Sequence, residues 1–384
     1  VEATLSRIDA LLGRFSGGSG AGIRTVYIGG GTPTALPREL LGRLLKGIAG
    51  RVEGILEWTL EANPESLDDE VLDLAEAAGV TRLSLGVQSL DDGLLAALGR
   101  LADSGHALAA IRLAAKRPGL DLSADLIAGL PRKTVLATEA STLVAEGVGH
   151  LSIYDITVEE GTRLAADVER GSIVLREGDE AWAERQEAES RLADLGFRRY
   201  EVSNYSSRGK ESLHNLAYWR MDSWIGVGPG AVSTLQAAPV TLGPRGEQAR
   251  ALRLEEIKDP AAYADAGGSA LETEIDALDS AFEHLLMGFR TVFGPDTAAF
   301  RDRFGADPAA LIPATLASWK GHLAKAEALP SALAGPGPAP EPWIALDPSG
   351  LDLLNRFLVD CLSELERRFP EGRHREGSPV HKEA

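Results

Sequence analysis

Short apolar runs alternate with amphipathic stretches through the first half of the chain. The runs at 26–28, 57–60, 82–85, 120–127 and 151–156 have the length of strands. In the third, Leu83, Leu85 and Val87 alternate with Arg82, Ser84 and Gly86, the period of two that a strand imposes. The stretches between the runs carry a helical period instead. Across 66–78, Val71, Leu74, Ala75 and Ala78 fall at i, i+3, i+4 and i+7 and build one apolar face. Ser66 with Asp69 three residues on resembles a capping box, and Gly79 stands where a helix stop belongs. The segment after Ser104 repeats the logic with Leu108, Ile111 and Ala115, and 5–15 reads as an earlier helix of the same series. Strand–helix units in succession predict an α/β fold with a parallel sheet and helical crossovers. A (β/α) barrel and an open doubly wound sheet both fit that pattern.

The second half is less regular. Residues 198–204, 224–227 and 251–254 are candidate strands. The run 278–292 predicts a helix with Phe282, Leu285, Leu286 and Phe289 inward, and 351–365 predicts a second apolar helix. Between them, 329–343 is rich in Pro, Ala and Gly and reads as a loop or linker. From Arg367 the tail is polar and predicted disordered.

Composition narrows the function classes. The 384 residues carry a net charge of −18, poor footing for nonspecific nucleic-acid binding, which needs a basic face. No apolar run is long enough for a membrane span, and no charged-then-apolar signal segment opens the sequence. One cysteine, Cys361, excludes a disulfide framework and any multi-cysteine metal site built from these residues alone. A cytoplasmic enzyme or carrier of small molecules is the default expectation.

Chemistry concentrates at the predicted strand ends. Gly29-Gly30-Gly31-Thr32-Pro33 follows the first strand, where missing Cβ atoms let backbone N–H groups approach a ligand. It lacks the Walker lysine and the dinucleotide glycine spacing, and it reads equally well as a tight turn. Glu61 ends the second strand, Gln88 the third, and Asp125 lies in the fourth; Arg100 follows one helix after Gln88. In a parallel barrel such groups converge on one mouth. Further on stands His214-Asn215-Leu216-Ala217-Tyr218-Trp219. Histidine is a common haem-iron ligand and flat aromatic walls suit a macrocycle, although the same residues also describe a half-buried histidine beside two core aromatics. The glycine loop 226–230 follows.

Taken in order, these motifs resemble the radical S-adenosylmethionine family of oxygen-independent coproporphyrinogen-III-oxidase-like proteins, in its heme-chaperone branch. The matching segments are 27–34 (YIGGGTPT), 61–64 (EANP), 83–89 (LSLGVQS), 98–100 (LGR), 125–131 (DLIAGLP), 151–154, 159–162, 200–204 (YEVSN), 214–219 (HNLAYW), 225–231 and 283–290. The resemblance implies a partial (β/α)6 barrel followed by a small, mostly helical, winged-helix-like domain. It implies a division into a barrel with its extension (1–240), a connecting segment (241–277), the C-terminal domain (278–365) and the tail (366–384). It also implies that Gly30, Gly31, Thr32, Glu61, Gln88, Arg100 and Asp125 line a pocket for S-adenosylmethionine. The loop would meet the methionine amino group, Glu61 and Asp125 would accept from sugar or ammonium, and Arg100 would pair with a carboxylate. Heme handling is implied by the second motif, with His214 the iron ligand and Tyr218 and Trp219 beside it. Arg198 and Arg199 are candidates for a heme propionate and equally for exposed strand charges.

The departures carry equal weight. The family's Cys-x3-Cys-x2-Cys loop, whose thiolates hold a [4Fe–4S] cluster, has no counterpart here. The chain opens with Val1, and 5–15 already reads as the first barrel helix, so a leading segment with the first barrel strand and the cluster loop is expected to be missing. On that expectation 26–28 becomes an unpaired sheet edge and the chain as given is catalytically inactive, with no catalytic residue assigned. Ala102, Lys133 and Val232 replace a usual histidine, glutamine and histidine of the family. The implied function is a chaperone that binds heme and passes it to a respiratory acceptor protein. The alternatives are an oxygen-independent coproporphyrinogen III oxidase, against which the HNxxYW motif argues, and a cluster-less heme- or S-adenosylmethionine-binding protein.

Overall fold

The computed structural model describes residues 1–15, 22–131, 135–176, 178–236, 251–268, 271–333 and 344–369. The Pro/Gly-rich stretch from 334, the tail from 370, Lys133 and part of the 241–277 segment lie outside the described residues. Those described fall into two compact units, one drawn from residues 1 and 19–214, the other from 2–18 and 215–384.

The chain begins with α1 (Glu2–Phe15), which belongs to the second unit rather than to the barrel helices. It buries Leu5, Leu11 and Leu12, and Arg7 meets Glu256 at 2.7 Å and Arg14 meets Glu272 at 2.5 Å, partners about 250 residues away that no local pattern reveals.

The first unit opens with β1 (Thr25–Ile28) and α2 (Arg38–Ala49), then β2 (Glu57–Ala62) and α3 (Asp69–Ala78). Next come β3 (Arg82–Gln88), α4 (Asp92–Ala97), α5 (Ser104–Ala114), β4 (Asp121–Ala128) and α6 (Leu136–Ala145). Then follow β5 (His150–Asp155), α7 (Arg163–Glu169), α8 (Asp179–Asp194), β6 (Phe197–Arg199) and β7 (Asn204–Ser207). The sheet order is β1-β2-β3-β4-β5-β7-β6, with β1 to β5 parallel and the β6–β7 hairpin antiparallel. Five parallel strand–helix units thus stand in sequence order, and β1 has β2 as its one neighbour among the described residues. Each strand separates two chemistries. Leu60, Leu83, Leu122 and Leu151 lie on one face, and Thr59, Ser84, Ser123 and Ser152, all buried, lie on the other.

Several elements depart from the sequence reading for identifiable reasons. α3 starts at Asp69, because the Asp68 carboxylate caps Val71 N–H, while Ser66 bonds Thr34 and the Asn63 carbonyl instead. α5 buries Ile111 as expected, together with Ala107, Ala110 and Ala114, small side chains that permit close approach, rather than Leu108 and Ala115. The strand expected over 198–204 is a hairpin. Arg199 donates to the Glu201 and Val202 carbonyls and Glu201 accepts Ser203 N–H, which closes a turn in its middle.

α9 (Leu213–Trp219) straddles the division between units, which falls after His214. The second unit continues with β8 (Val232–Gln236), β9 (Ala251–Glu255), α10 (Pro260–Ala266) and β10 (Leu271–Ile275), an antiparallel sheet in the order β10-β9-β8. The strand expected at 224–227 shrinks to one bridge, Trp224 to Thr234. Helices α11 (Ala277–Gly288), α12 (Thr297–Phe304), α13 (Pro308–Leu311) and α14 (Pro313–Ser318) follow, then the antiparallel pair β11 (Leu323–Lys325) and β12 (Ile344–Leu346). α11 stops short of residue 292, where Gly288 lies so close to Pro295 that an added Cβ would sit 2.5 Å from it. The last helix divides at Leu353 into α15 (Pro348–Asp352) and α16 (Leu354–Arg368). Phe289, Phe300, Phe304, Phe357 and Cys361 are among the buried side chains of the second unit.

Candidate functional site

The non-leucine face of the parallel strands carries nearly every polar residue of the sheet. Reading along it, β1 offers Thr25 and Tyr27, β2 Glu57, Thr59 and Glu61, and β3 Arg82 and Ser84, with Gln88 beyond a bulge at the strand end. β4 offers Ser123 and Asp125, and β5 His150, Ser152 and Tyr154. The C-terminal strand ends hold one cluster and the N-terminal ends another.

At the C-terminal ends the glycine loop folds onto Glu61. Gly30 and Gly31 adopt φ of +86° and +113°, which side chains rarely tolerate. Gly29 is required by proximity, since a Cβ there would lie 2.6 Å from the Glu61 carboxyl carbon. Gly30 N–H donates to Glu61 Oε2 at 3.2 Å, and the Tyr27 hydroxyl donates to Glu61 Oε1 at 2.6 Å. Thr32 is tied in through Asn63, whose Nδ2 donates to Thr32 Oγ1 at 2.8 Å. Gly86 leaves room for the next contact: a Cβ there would meet Asn63 Oδ1 at 2.9 Å and Gln88 Nε2 at 3.0 Å. Gln88 sits at φ +68° beside a register shift in the β3–β4 ladder, a bulge that re-aims its side chain. Behind it, Ser89 donates to the buried Glu139 carboxylate at 2.9 Å and accepts Asp91 N–H.

Asp125 completes this end. Burial pushes its carboxyl up to about 7, the Glu61 charge pushes the same way, and the Ser152 hydrogen bond and the Arg100 charge oppose both. Burial, helped by Asp125, lifts the Tyr154 hydroxyl to about 12. Arg100 is half-buried, and its guanidinium has no hydrogen bond or ion pair among the described residues. A carboxylate, a carboxyl poised near neutrality, an amide and an unpaired guanidinium around a glycine loop suit a zwitterion. Its ammonium would face the acids and its carboxylate Arg100. The structure therefore gathers Gly30, Gly31, Thr32, Glu61, Gln88, Arg100 and Asp125 at one end of the sheet.

The opposite end is built on a buried ion pair. Arg82 Nε donates to Glu57 Oε2 at 2.9 Å, with each residue 4% exposed. Arg82 also donates to Ser123 Oγ and to the Lys210 and Glu211 carbonyls. Glu57 in turn accepts from Ser212 Oγ at 3.2 Å, Leu213 N–H at 3.1 Å and His214 N–H at 2.9 Å, so it caps the first turn of α9. The His214 ring is thereby set beside β1, with Nδ1 2.8 Å from Thr25 Oγ1 and its plane stacked on Tyr27 at 5.0 Å. Burial lowers the His214 pKa to about 4 against the opposing pull of Glu57, which leaves the imidazole neutral at pH 7.

The other heme candidates find different partners. Tyr218 packs on Trp224 with ring centroids 4.6 Å apart, and Trp219 lies under the Arg290 guanidinium at 5.5 Å. The Trp219 indole N–H is buried without an acceptor among the described residues. Arg198 is half-buried and pairs with Glu211 at 2.8 Å, and Arg199 is buried against backbone carbonyls rather than being an exposed strand charge. Sequence reading missed Tyr27, Asn63, Ser152 and Tyr154 at the first cluster and Glu57, Arg82 and Thr25 at the second. The parity of polar residues along each strand was the signal that could have found them.

Residues 3–137 match the Radical SAM superfamily. The chain is 41% identical over 214 residues to heme chaperone HemW of Mycobacterium tuberculosis, covering 54% of this chain and 55% of that protein. It is 30% identical over 301 residues to heme chaperone HemW of Bacillus subtilis, covering 77% and 76%. The chain thus spans little more than half the length of the first relative and about three quarters of the second. Coproporphyrinogen III oxidase (HemN) from Escherichia coli, a radical SAM enzyme, shares the fold with a TM-score of 0.70 at 19% identity, over 94% of this chain and 82% of that one. That likeness bears out the expected barrel architecture with a C-terminal helical domain. At 30% identity across three quarters of a full relative, the chain belongs to the HemW heme-chaperone family of radical SAM proteins.

Proposed function

We propose that this protein is a heme-trafficking chaperone. Its strand-end cluster binds S-adenosylmethionine, and His214 ligates heme iron before the heme passes to a respiratory acceptor protein. The names of its relatives support the reading, and the observation that carries it is His214. Iron needs a neutral imidazole, and burial keeps this one neutral well below pH 7. Nδ1 lies 2.8 Å from Thr25 Oγ1, and a second-shell contact at one ring nitrogen orients an imidazole for ligation through the other, Nε2. Glu57 holds the backbone that carries the ring.

S-Adenosylmethionine, when bound, supplies a sulfonium nucleoside with an amino-acid head. Glu61 and Asp125 take its donors, Arg100 its carboxylate, and Gly30 and Gly31 let it approach the backbone. The residues present do not fit a [4Fe–4S] cluster. The sole cysteine, Cys361, is buried in the second unit with its thiol pushed up by burial, and no triad of metal-ligating side chains occurs among the described residues. Also among the described residues, no helix is long and apolar enough to cross a membrane.

Titration with ferric hemin, followed at the Soret band, tests the heme assignment. His214→Ala is expected to weaken binding about tenfold or more, since even outer-shell partners move metal affinity on that scale. An unchanged affinity sinks it. Calorimetry with S-adenosylmethionine on wild type and Glu61→Gln tests the second ligand in the same way.

A further inference from the structure

Tyr27 touches both proposed ligand sites. Its hydroxyl donates to Glu61 Oε1 at 2.6 Å, and its ring stacks on His214 with centroids 5.0 Å apart and planes 26° apart. The two contacts fall on one rigid side chain. Tyr27 is 37% exposed, and its strand β1 pairs with β2 alone among the described residues. Two residues earlier on the same strand face, Thr25 holds His214 Nδ1, and Thr25 itself is in register with Glu57.

We propose that Tyr27 couples the two sites, so that S-adenosylmethionine at Glu61 and heme at His214 tighten each other's binding. The inference rests on the function proposed above and adds its regulation. A ligand donor that engages Glu61 holds the carboxylate in one orientation. The Tyr27 hydroxyl then has a fixed acceptor, its ring stops swinging, and the stacked imidazole is held in one plane. Heme binding to a ring already ordered loses less conformational entropy. The effect is reciprocal by linkage, so heme must raise the affinity for S-adenosylmethionine by the same factor. Tyr27 is a positioning residue here, and the coupling needs both its hydroxyl and its ring.

The experiment is a two-ligand cycle on the full chain. Ferric hemin affinity is measured at the Soret band with and without saturating S-adenosylmethionine, in wild type, Tyr27→Phe and Tyr27→Leu. Wild type is expected to tighten about fivefold or more with S-adenosylmethionine, the lower end of ordinary coupling. Tyr27→Phe keeps the ring and is expected to lose the coupling, and Tyr27→Leu loses it as well. A ratio near one in wild type, a loosening, or a ratio that survives in Tyr27→Phe overturns the proposal. Failure of the underlying reading looks different: hemin affinity is then indifferent to His214→Ala, or S-adenosylmethionine gives no calorimetric binding, and the coupling falls with it. Thermal unfolding of each variant shows whether a lost ratio comes from a lost fold.

Discussion

Glu57 accepts the backbone N–H of His214 at 2.9 Å across 157 residues of sequence. The same carboxylate is the buried partner of Arg82. One side chain therefore neutralises a charge inside the fold and sets where the candidate heme ligand stands. Truncating Glu57 to Ala uncaps α9 and removes the buried carboxylate of Arg82, leaving it Asp121 at 3.8 Å and neutral acceptors, and breaking such a buried pair costs about 3–5 kcal/mol. Urea unfolding of Glu57→Ala is expected to show that loss, together with a shifted Soret band for bound hemin. Full stability in this variant would mean the pair carries no structural weight.

Gly29 offers a cleaner separation of site from fold. Its φ is ordinary, so Gly29→Ala strains no backbone, and the added Cβ meets the movable end of the Glu61 side chain. Glu61 must swing away from Gly30 N–H and from the Tyr27 hydroxyl. S-Adenosylmethionine affinity is expected to drop about tenfold, the scale of one charge-assisted hydrogen bond. The unfolding midpoint should stay close to wild type, within the range of about 0.5 kcal/mol typical of surface changes. Retained affinity in calorimetry would remove Glu61 from the ligand contacts.

What the sequence made legible follows the reach of each interaction. Glu61 and Asp125 were readable because period-two strands put alternate residues on one face and parallel strands align their ends; Gln88, beyond a bulge, was readable only as a strand end. Tyr27 was hidden inside an apolar run, where an aromatic reads as core. Glu57 and Arg82 open their strands, and nothing local shows that Arg82 reaches the Lys210 and Glu211 carbonyls nearly 130 residues on. The first helix was misplaced for the same reason, since its amphipathic face fits a barrel and its arginines pair with Glu256 and Glu272. At the start of α3 the competition was local: Ser66 and Asp68 are both competent caps, and Asp68 wins while Ser66 is drawn to Thr34.

The depressed pKa of His214, about 4, gives a pH signature. In the unfolded chain a histidine takes its proton near pH 6.5. The folded state resists protonation, so the stability tied to this neutral ring is full above about pH 6.5 and declines as the pH falls toward 4. Burial lowers His150 and His284 in the same direction, so all three contribute to the acid limb. His214→Phe is expected to flatten part of that limb between pH 6.5 and 4, measured by urea unfolding at several pH values. Hemin ligation through His214 should also persist at pH 5, where a free imidazole is mostly protonated. Loss of the histidine-ligated Soret band with a midpoint near 6.5 would contradict the burial argument.

Asp125 titrates in the opposite sense. Its folded pKa of about 7 lies above the unfolded value near 3.9, because burial and the Glu61 charge disfavour the carboxylate. The folded state binds the extra proton, so its stabilising effect is full below about pH 4 and is lost as the pH rises through 7. Asp125→Asn keeps the shape without the charge, and it is expected to be more stable than wild type at pH 8, with the gap closing toward pH 4. Ligand binding should run the other way. An ammonium or sulfonium group favours the ionised carboxylate, so S-adenosylmethionine affinity in wild type should rise between pH 6 and 8 with a midpoint near 7. In Asp125→Asn that rise should vanish and affinity at pH 8 should fall about tenfold. Calorimetry at both pH values separates these outcomes. A flat wild-type profile would place Asp125 outside the ligand's field, whereas a rise that persists in Asp125→Asn would assign it to another group at the strand ends.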